Sequence, residues 1–381
     1  MTFNSTGTYT PASGATTATS GAVIQSAVWN AIFEDLSDAL TQVMQQMINT
    51  ISVQRNILFG NGGFEVWQRG AGSSSSIAVA ASTTSYTADR WYLATGANQA
   101  SVVAAVTGIT DQSQLAGKIT RNSGQTGTGV MTFGYPLDTD SIVAMRGQKI
   151  SLTCSVKAGA NWSPTSGTLS YALYVGTGSV SKRGGGFTSE TTILTGSSNL
   201  TVSGQTTITL DGSVTVPLTS TQAEFQFTWT PTGTAGVDDS VTIDDVQLVC
   251  QNTTDTYTNI IFDRVPYSVM IDDCQAHFQK TFQYGTAPAQ AGGYNGSLAV
   301  IAQATTKQAM YWRFSREMRT TPTLTTYNPA GASANWQDAT SGASLAVSVT
   351  ATSTKGIFIL SATASAVNDT IYIQAQADAG I

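Results

Sequence analysis

The period of the hydrophobic positions changes along this chain, and each change marks a different kind of element. Between Gly21 and Thr50 there is no proline and no internal glycine, and helix formers dominate. Within that stretch Trp29, Phe33, Leu36, Leu40, Val43 and Met47 are spaced 4, 3, 4, 3 and 4 residues apart. A 3.5-residue average is the seam of helices that wind round one another. Ile32, Met44, Ile48 and Ile51 widen the stripe, which favours three or more helices or a helix laid on a body. The flanking segments are β-like and hold no second helix to pair with, so the sequence predicts an intermolecular bundle, a homotrimer. An amphipathic helix folded onto its own domain is the alternative.

From Asn56 the period shortens to two. Leu152, Cys154 and Val156 alternate with Ser151, Thr153, Ser155 and Lys157, and Leu169, Tyr171, Leu173 and Val175 alternate in the same way, as do Phe225, Phe227 and Trp229. Many short strands broken by turn residues predict an antiparallel sandwich or jelly roll, here over residues 56–251. Near its end the phase slips: Val241 and Ile243 share one face, Val246 and Leu248 are offset by one, and Asp244-Asp245 sits at the break. That pattern predicts a β-bulge aiming a carboxylate off the pleat. After a Thr/Asn-rich linker, Pro266 opens a short helix, with Tyr267, Met270, Ile271, Cys274, Phe278 and Phe282 at helical spacing. Short strands return beyond Tyr284, among them Ile357/Ile359 and Ile371/Ile373. The predicted fold class is therefore mainly β. It comprises an extended arm over 1–21, a helical oligomerisation segment over 22–55, the jelly roll, and a small α+β domain with one helix over 257–381.

Composition narrows the function classes. Charged residues are only 10% of 381, and the net charge is -6, so nothing offers the clustered cations that a nucleic-acid backbone demands. Hydrophobic residues at 41% suffice for a real core despite the Thr/Ser/Gly texture. No apolar run approaches the roughly 18 residues of a membrane span. Met1-Thr2-Phe3-Asn4-Ser5 lacks the charged and apolar regions of a signal peptide, so if the protein works outside a cell, release by lysis within a particle is expected rather than secretion. Cys154, Cys250 and Cys274 are odd in number and far apart, which suits buried thiols better than a disulfide frame or a zinc site.

Candidate chemistry is sparse. The single histidine, His277, reads as a packed or surface residue, and no nucleophile elbow, zinc helix, Walker loop or dinucleotide fingerprint occurs. Gly184-Gly185-Gly186 reads as a hairpin tip. Glu65, Asp89, Asp238, Asp239, Asp244 and Asp245 could supply a glycosidase pair, but spacing does not bring any two together, and the chain is expected not to be an enzyme. Sugar binding needs only aromatic faces and hydrogen-bonding side chains. Trp67, Trp91, Tyr92, Trp162 and Trp336 are the candidates for it, with Tyr174 and Trp229 beside them, each weighed against an ordinary place in a β core.

Three stretches resemble known families. Asn61-Gly62-Gly63-Phe64-Glu65 with Trp67 resembles the first strand of jelly-roll carbohydrate-binding modules. Val241 to Leu248 resembles their last strand, and Ser151 to Lys157 a central one. That resemblance implies adjacent first and last strands and a structural calcium near Glu65, Asp244 and Asp245; oxygen ligands suit calcium, and no other cofactor is required. Phe64-Glu65-Val66-Trp67-Gln68-Arg69-Gly70 with Tyr86-Thr87-Ala88-Asp89-Arg90-Trp91-Tyr92 looks like a pattern of phage tail and fibre proteins. So do Asp273-Cys274-Gln275, Met318-Arg319-Thr320-Thr321-Pro322-Thr323-Leu324, Ala377-Asp378-Ala379 and the opening around Ala27, Trp29 and Asn30. His277-Phe278 departs from the Arg-Tyr expected there. This second resemblance implies a trimeric virion subunit on the particle surface. Its N-terminus would contact other virion proteins and its β domains would face bacterial surface polysaccharide.

Overall fold

The computed structural model describes residues 2–3, 9–10, 33–40, 56–58, 60–70, 75–97, 99–179, 182–251, 262–289, 293–303, 305, 308–361 and 366–380. They belong to two compact units, Met1–Gln54 and Arg55–Ile381. In the first, β1 (Thr2–Phe3) pairs antiparallel with β2 (Tyr9–Thr10), a short pairing that the aperiodic composition of this stretch does not signal. Residues 33–40 form α1, and its Phe33, Leu36 and Leu40 are all exposed. Trp29, Val43 and Met47, the rest of the expected seam, lie outside the described residues. Eight helical residues are too few to display a heptad repeat, and no coiled coil is seen among the described residues.

The second unit opens with a β-sandwich of two six-stranded antiparallel sheets. The front sheet contains β4 (Thr84–Tyr86), β5 (Tyr92–Ala94), β8 (Met131–Pro136), β10 (Thr168–Thr177), β11 (Thr188–Asn199) and β13 (Gln222–Trp229), in the order β11-β10-β13-β8-β5-β4. The back sheet contains β3 (Ile77–Val79), β6 (Ser101–Thr107), β7 (Leu115–Arg121), β9 (Lys149–Ala158), β12 (Gln205–Asp211) and β14 (Ser240–Gln251), in the order β12-β9-β14-β7-β6-β3. A short helix of about two turns, α2 (Thr139–Met145), joins β8 to β9 and buries Ile142 and Met145. Alternation decides which side chains meet between the sheets. Phe225, Phe227, Phe133, Leu173, Val156 and Ile243 all enter one core. Trp91 sits at its centre, stacked on Phe133 at 4.8 Å and on Phe64 at 5.1 Å between ring centroids.

Two expectations about the ends of the sandwich have different outcomes. The bulge is present: β14 pairs with β9 through Asp244↔Ser155 and resumes at Gln247↔Thr153, and Asp245 takes a left-handed φ of 47°, a conformation that Asp tolerates better than most residues. The stretch resembling a first strand is instead a series of turns. It still lies beside β14: the Ile57 amide donates to the Leu248 carbonyl at 2.8 Å, and the Val246 amide to that of Gly62 at 3.0 Å. Turn geometry displaces the ladder because Asn61 folds back on the chain, donating from its side chain to the Val66 and Asp89 carbonyls.

The C-terminal part carries α3 (Tyr267–Gln275), which begins directly after Pro266 as the sequence predicts. The helical spacing overran the helix: Phe278 is already in a strand, and Phe282 follows it. Eight strands follow: β15 (Phe278–Lys280), β16 (Leu298–Ile301), β17 (Ala309–Arg313), β18 (Thr323–Tyr327), β19 (Asn335–Asp338), β20 (Ser344–Thr352), β21 (Gly356–Ser361) and β22 (Thr370–Asp378). They join one antiparallel sheet system in which β22 pairs with β15, β16, β18 and β19. Its separate core holds Trp312, Phe314, Trp336, Ile357, Ile359, Ile371 and Ile373.

Two arginines, Arg90 buried and Arg69 largely covered, join this sheet to the sandwich, and they come from the motifs that resemble fibre proteins. Arg69 reaches Asp378 at 2.9 Å and Asp89 at 3.5 Å, and its guanidinium lies 3.9 Å over the Phe278 ring. Gln68 bonds Asp89 through its side chain at 2.9 Å and also donates to the Phe278 carbonyl. Arg90 reaches Asp138 at 2.7 Å and Asp273 at 3.3 Å, and contacts His277. Val66 packs on Met270 and Cys274 of α3. His277 is thus a packed residue, its Nδ1 within 3.1 Å of the Gly380 carbonyl. Burial and the Arg90 charge hold its pKa below the ordinary histidine value, with Asp138 opposing them. Burial also works against ionisation of Asp138, but Arg90 and His277 overcome it and draw the carboxyl well below the usual range.

Arg69→Ala leaves the buried Asp89 without its countercharge and is expected to cost about 3–5 kcal/mol, read from urea unfolding; a loss under 1 kcal/mol would remove the arginine clasp from the account. Because His277 resists protonation in the folded state, the unfolded chain takes up that proton first. Its contribution is complete above about pH 6.5 and declines as the pH falls below it. Replacement by Gln is expected to flatten the stability curve between roughly pH 6.5 and 5, where the Asp138 carboxylate is still ionised in both states.

Candidate functional site

The outward face of the front sheet carries an open cleft of about 860 Å³. Its floor follows from strand alternation. On β13, Phe225 and Phe227 point into the sandwich, so Glu224 and Gln226 face outward, and on β5 the inward Leu93 leaves Tyr92 and Ala94 outside. Gly134 of β8 is cross-strand neighbour to both Tyr92 and Gln226. A Cβ at Gly134 would stand 2.6 Å from the Tyr92 ring, so the absent side chain is what lets the tyrosine lie across the sheet. The far wall comes from the connection between β10 and β11, where Lys182, Arg183, Gly184 and Gly185 line the cleft with Glu190. The triple glycine is the hairpin tip that the sequence predicts, folded over the sheet face.

Most charges in this cleft are already matched. Arg183 grips Glu190 through two hydrogen bonds of 2.9 and 2.8 Å and stacks on Tyr174 at 3.5 Å. Its backbone amide donates to Glu224 at 2.7 Å. Glu224 also accepts from the Tyr92 hydroxyl and the Gln226 amide. Burial pushes the Glu224 carboxyl up, against those three hydrogen bonds. Lys182 lies 4.8 Å over the Tyr86 ring and 5.4 Å from that of Tyr92, a cation–π arrangement. Thr84, Thr132 and Gln226 add neutral polar groups. The lining therefore presents hydroxyl, amide and charged groups able to hydrogen-bond a ligand.

The aromatic residues named from sequence need correction. Trp67, Trp91, Trp162 and Trp336 are all buried, with Trp91 and Trp336 fully so, and a covered ring has no face to offer a sugar. Trp162 packs on Trp229 at 5.8 Å, and Trp336 belongs to the C-terminal core. Tyr92, though buried, lines the cleft, and Tyr174 stands under Arg183. Lys182, Arg183, Glu190 and Gln226 were missed; the first three belong to one turn and the strand after it, and Gln226 lies on β13, all far in sequence from Tyr92. The available signal was the polar phase of Gln222, Glu224 and Gln226 against Phe225 and Phe227.

Glu65 and Asp245 do converge, but on Arg264: its guanidinium lies 3.3 Å from Glu65 and 2.9 Å from Asp245. Asp245 also accepts from Thr110, and Asp244 accepts from the Ile109 amide and Ser113, each at 2.8 Å. No group of three or more His, Cys, Asp or Glu residues able to hold a metal occurs among the described residues. With a guanidinium between the carboxylates, this donor set does not fit the calcium expected here.

No family model matches the chain, and no curated protein matches it significantly. Among solved structures, similarity extends to a carbohydrate-binding module studied for the promiscuous specificity of its β-sandwich superfamily: 12% identity, 47% of this chain, 63% of the other, TM-score 0.30. The chain thus spans less than two thirds of that structure. It also extends to the C-terminal family 22 carbohydrate-binding module of Clostridium thermocellum Xyn10B, at 11% identity, 44% of this chain, 89% of the other and TM-score 0.28. A third is the Stig cyclase Fisc from Fischerella sp. TAU, at 14% identity, 46% and 98% coverage and TM-score 0.29.

Arg264→Ala is expected to destabilise the sandwich by roughly 1 kcal/mol, the scale of a partly exposed ion pair, whereas a chelator leaves the melting temperature unchanged. A chelator-induced drop of several degrees would restore calcium to Glu65 and Asp245.

Proposed function

We propose that this protein is a non-catalytic glycan-binding subunit of a fibre-type virion appendage, trimeric, displayed on a bacteriophage particle and directed at bacterial surface polysaccharide. The cleft on the front sheet carries the binding part of this reading: it is wide, open and lined by side chains that exchange hydrogen bonds with hydroxyl groups. The virion part rests on the resemblance of the Trp67–Gly70 and Ala88–Trp91 segments to phage fibre proteins, and on the apolar stripe through Phe33, Leu36 and Leu40. A single shallow sugar site binds weakly, and three linked copies would raise its effective affinity through rebinding.

Binding without cleavage is favoured because both glutamates at the cleft are engaged by other groups. Glu190 is paired with Arg183, and Glu224 accepts three hydrogen bonds. General acid catalysis needs a carboxyl within reach of the glycosidic oxygen.

Purified full-length protein incubated with host capsule or lipopolysaccharide is expected to retain polymer of undiminished length and to elute as a trimer in light scattering. Shortened polymer, with cleavage abolished by Glu224→Gln, would replace the adhesin with a depolymerase; polymer left wholly in solution would leave a structural part only. Gly134→Val drives the Tyr92 ring off the floor and is expected to lower retention at least about tenfold, the scale of one or two lost polar contacts.

A further inference from the structure

We propose that the cleft selects anionic saccharides, those bearing a carboxylate or phosphate, and that Lys182 is the residue that selects them. This rests on the glycan reading of the same cleft and adds the ligand's charge. Of the charged side chains at the site, Arg183 and Glu190 neutralise each other at 2.8 Å. Glu224 spends its oxygens on Tyr92, Gln226 and the Arg183 amide. Lys182 has no carboxylate within 4.0 Å among the described residues; its ammonium rests over the rings of Tyr86 and Tyr92 instead. Those rings hold the charge at the cleft without cancelling it, and N–H donors not directed at the rings can turn toward a ligand.

Position strengthens the case. The Arg69 guanidinium also lies 5.0 Å from the Tyr86 ring, so the platform beneath Lys182 is tied into the arginine clasp. The turn Arg183–Gly185 follows Lys182 directly, and Arg183 is anchored by Glu190, Gln226 and Tyr174. The lysine stem therefore leaves the backbone beside a fixed point. Lys182 is thus the cation at the cleft that forms no ion pair among the described residues, while Glu224 lies buried behind its three neutral donors, and an anion at Lys182 gains a charge-assisted hydrogen bond that a neutral sugar does not.

The test uses the full-length protein against three sets of immobilised polymer: uronic-acid capsules and their carboxyl-reduced forms, phosphate-bearing lipopolysaccharide and its dephosphorylated form, and neutral dextran. Retention of at least one anionic polymer is expected, falling about tenfold when its charge is removed and again on Lys182→Ala, while Lys182→Arg retains it. The arm that responds distinguishes carboxylate from phosphate. Added salt should weaken the wild-type interaction and leave that of the Ala variant nearly unchanged. Equal retention of charged and neutralised polymers would overturn the selection by charge and leave glycan binding standing. Loss on charge removal but not in the Ala variant would overturn the role of Lys182. Failure to retain any polymer, dextran included, would overturn the glycan reading itself and this inference with it. Unchanged melting of the Lys182 variants shows that they are folded.

Discussion

Burying a guanidinium is costly unless every face of it is matched, and the second unit of this protein is organised around meeting that requirement twice. Arg69 and Arg90 come from neighbouring turns at the edge of the sandwich, yet their carboxylate partners are spread over Asp89, Asp138, Asp273 and Asp378. No local segment could satisfy them alone. Only when the helix after Pro266 and the last strand are both seated does each arginine find its full set, so the charge requirement fixes how the C-terminal sheet meets the sandwich. The hydrophobic contribution at this contact is modest by comparison: Val66 against Met270 and Cys274.

This gives a physical meaning to segments that in sequence served only as signs of kinship. Trp67 and Trp91 are not recognition surfaces; their rings fill the sandwich core and hold the intervening polar residues in place. Trp91 donates from its indole to the Asn61 carbonyl at 2.9 Å, and Asn61 in turn ties down the carbonyls of Val66 and Asp89. The aromatic residues thus act on the architecture, by fixing where Arg69, Asp89 and Arg90 emerge.

Much of the architecture was legible in the chain. Period-two runs such as Leu152 to Val156 and Phe225 to Trp229 became strands, the phase slip at Asp244-Asp245 became a bulge, and Pro266 marked a helix start. These are local signals, set by pleat geometry and by proline's fixed φ. The site was not legible for a related reason. Tyr92 and Trp91 are adjacent, and the pleat sends one outward and the other inward; sequence alone does not say which. The cleft also draws on β5, β8, β13 and the turn before β11, whose proximity comes from the strand order of the front sheet and not from any spacing. For the carboxylates near the bulge, the resemblance placed Glu65 near Asp245, but neither it nor the spacing could foresee that Arg264, from beyond the sandwich, supplies their positive charge.

The position of β22 in its sheet has a consequence for synthesis. It is the last strand in the order of the chain, yet β15, β16, β18 and β19 all hydrogen-bond to it. As the chain leaves the ribosome, those four segments must wait for a partner up to about a hundred residues downstream, with Phe278 and its neighbours uncovered meanwhile. Closure over so long a span is slow for entropic reasons, whereas the sandwich has all its strands by Gln251 and can form earlier. The nascent chain is therefore most exposed to mispairing with its sister copies during that interval, in the part of the molecule whose completed sheet is tied most tightly to its neighbour.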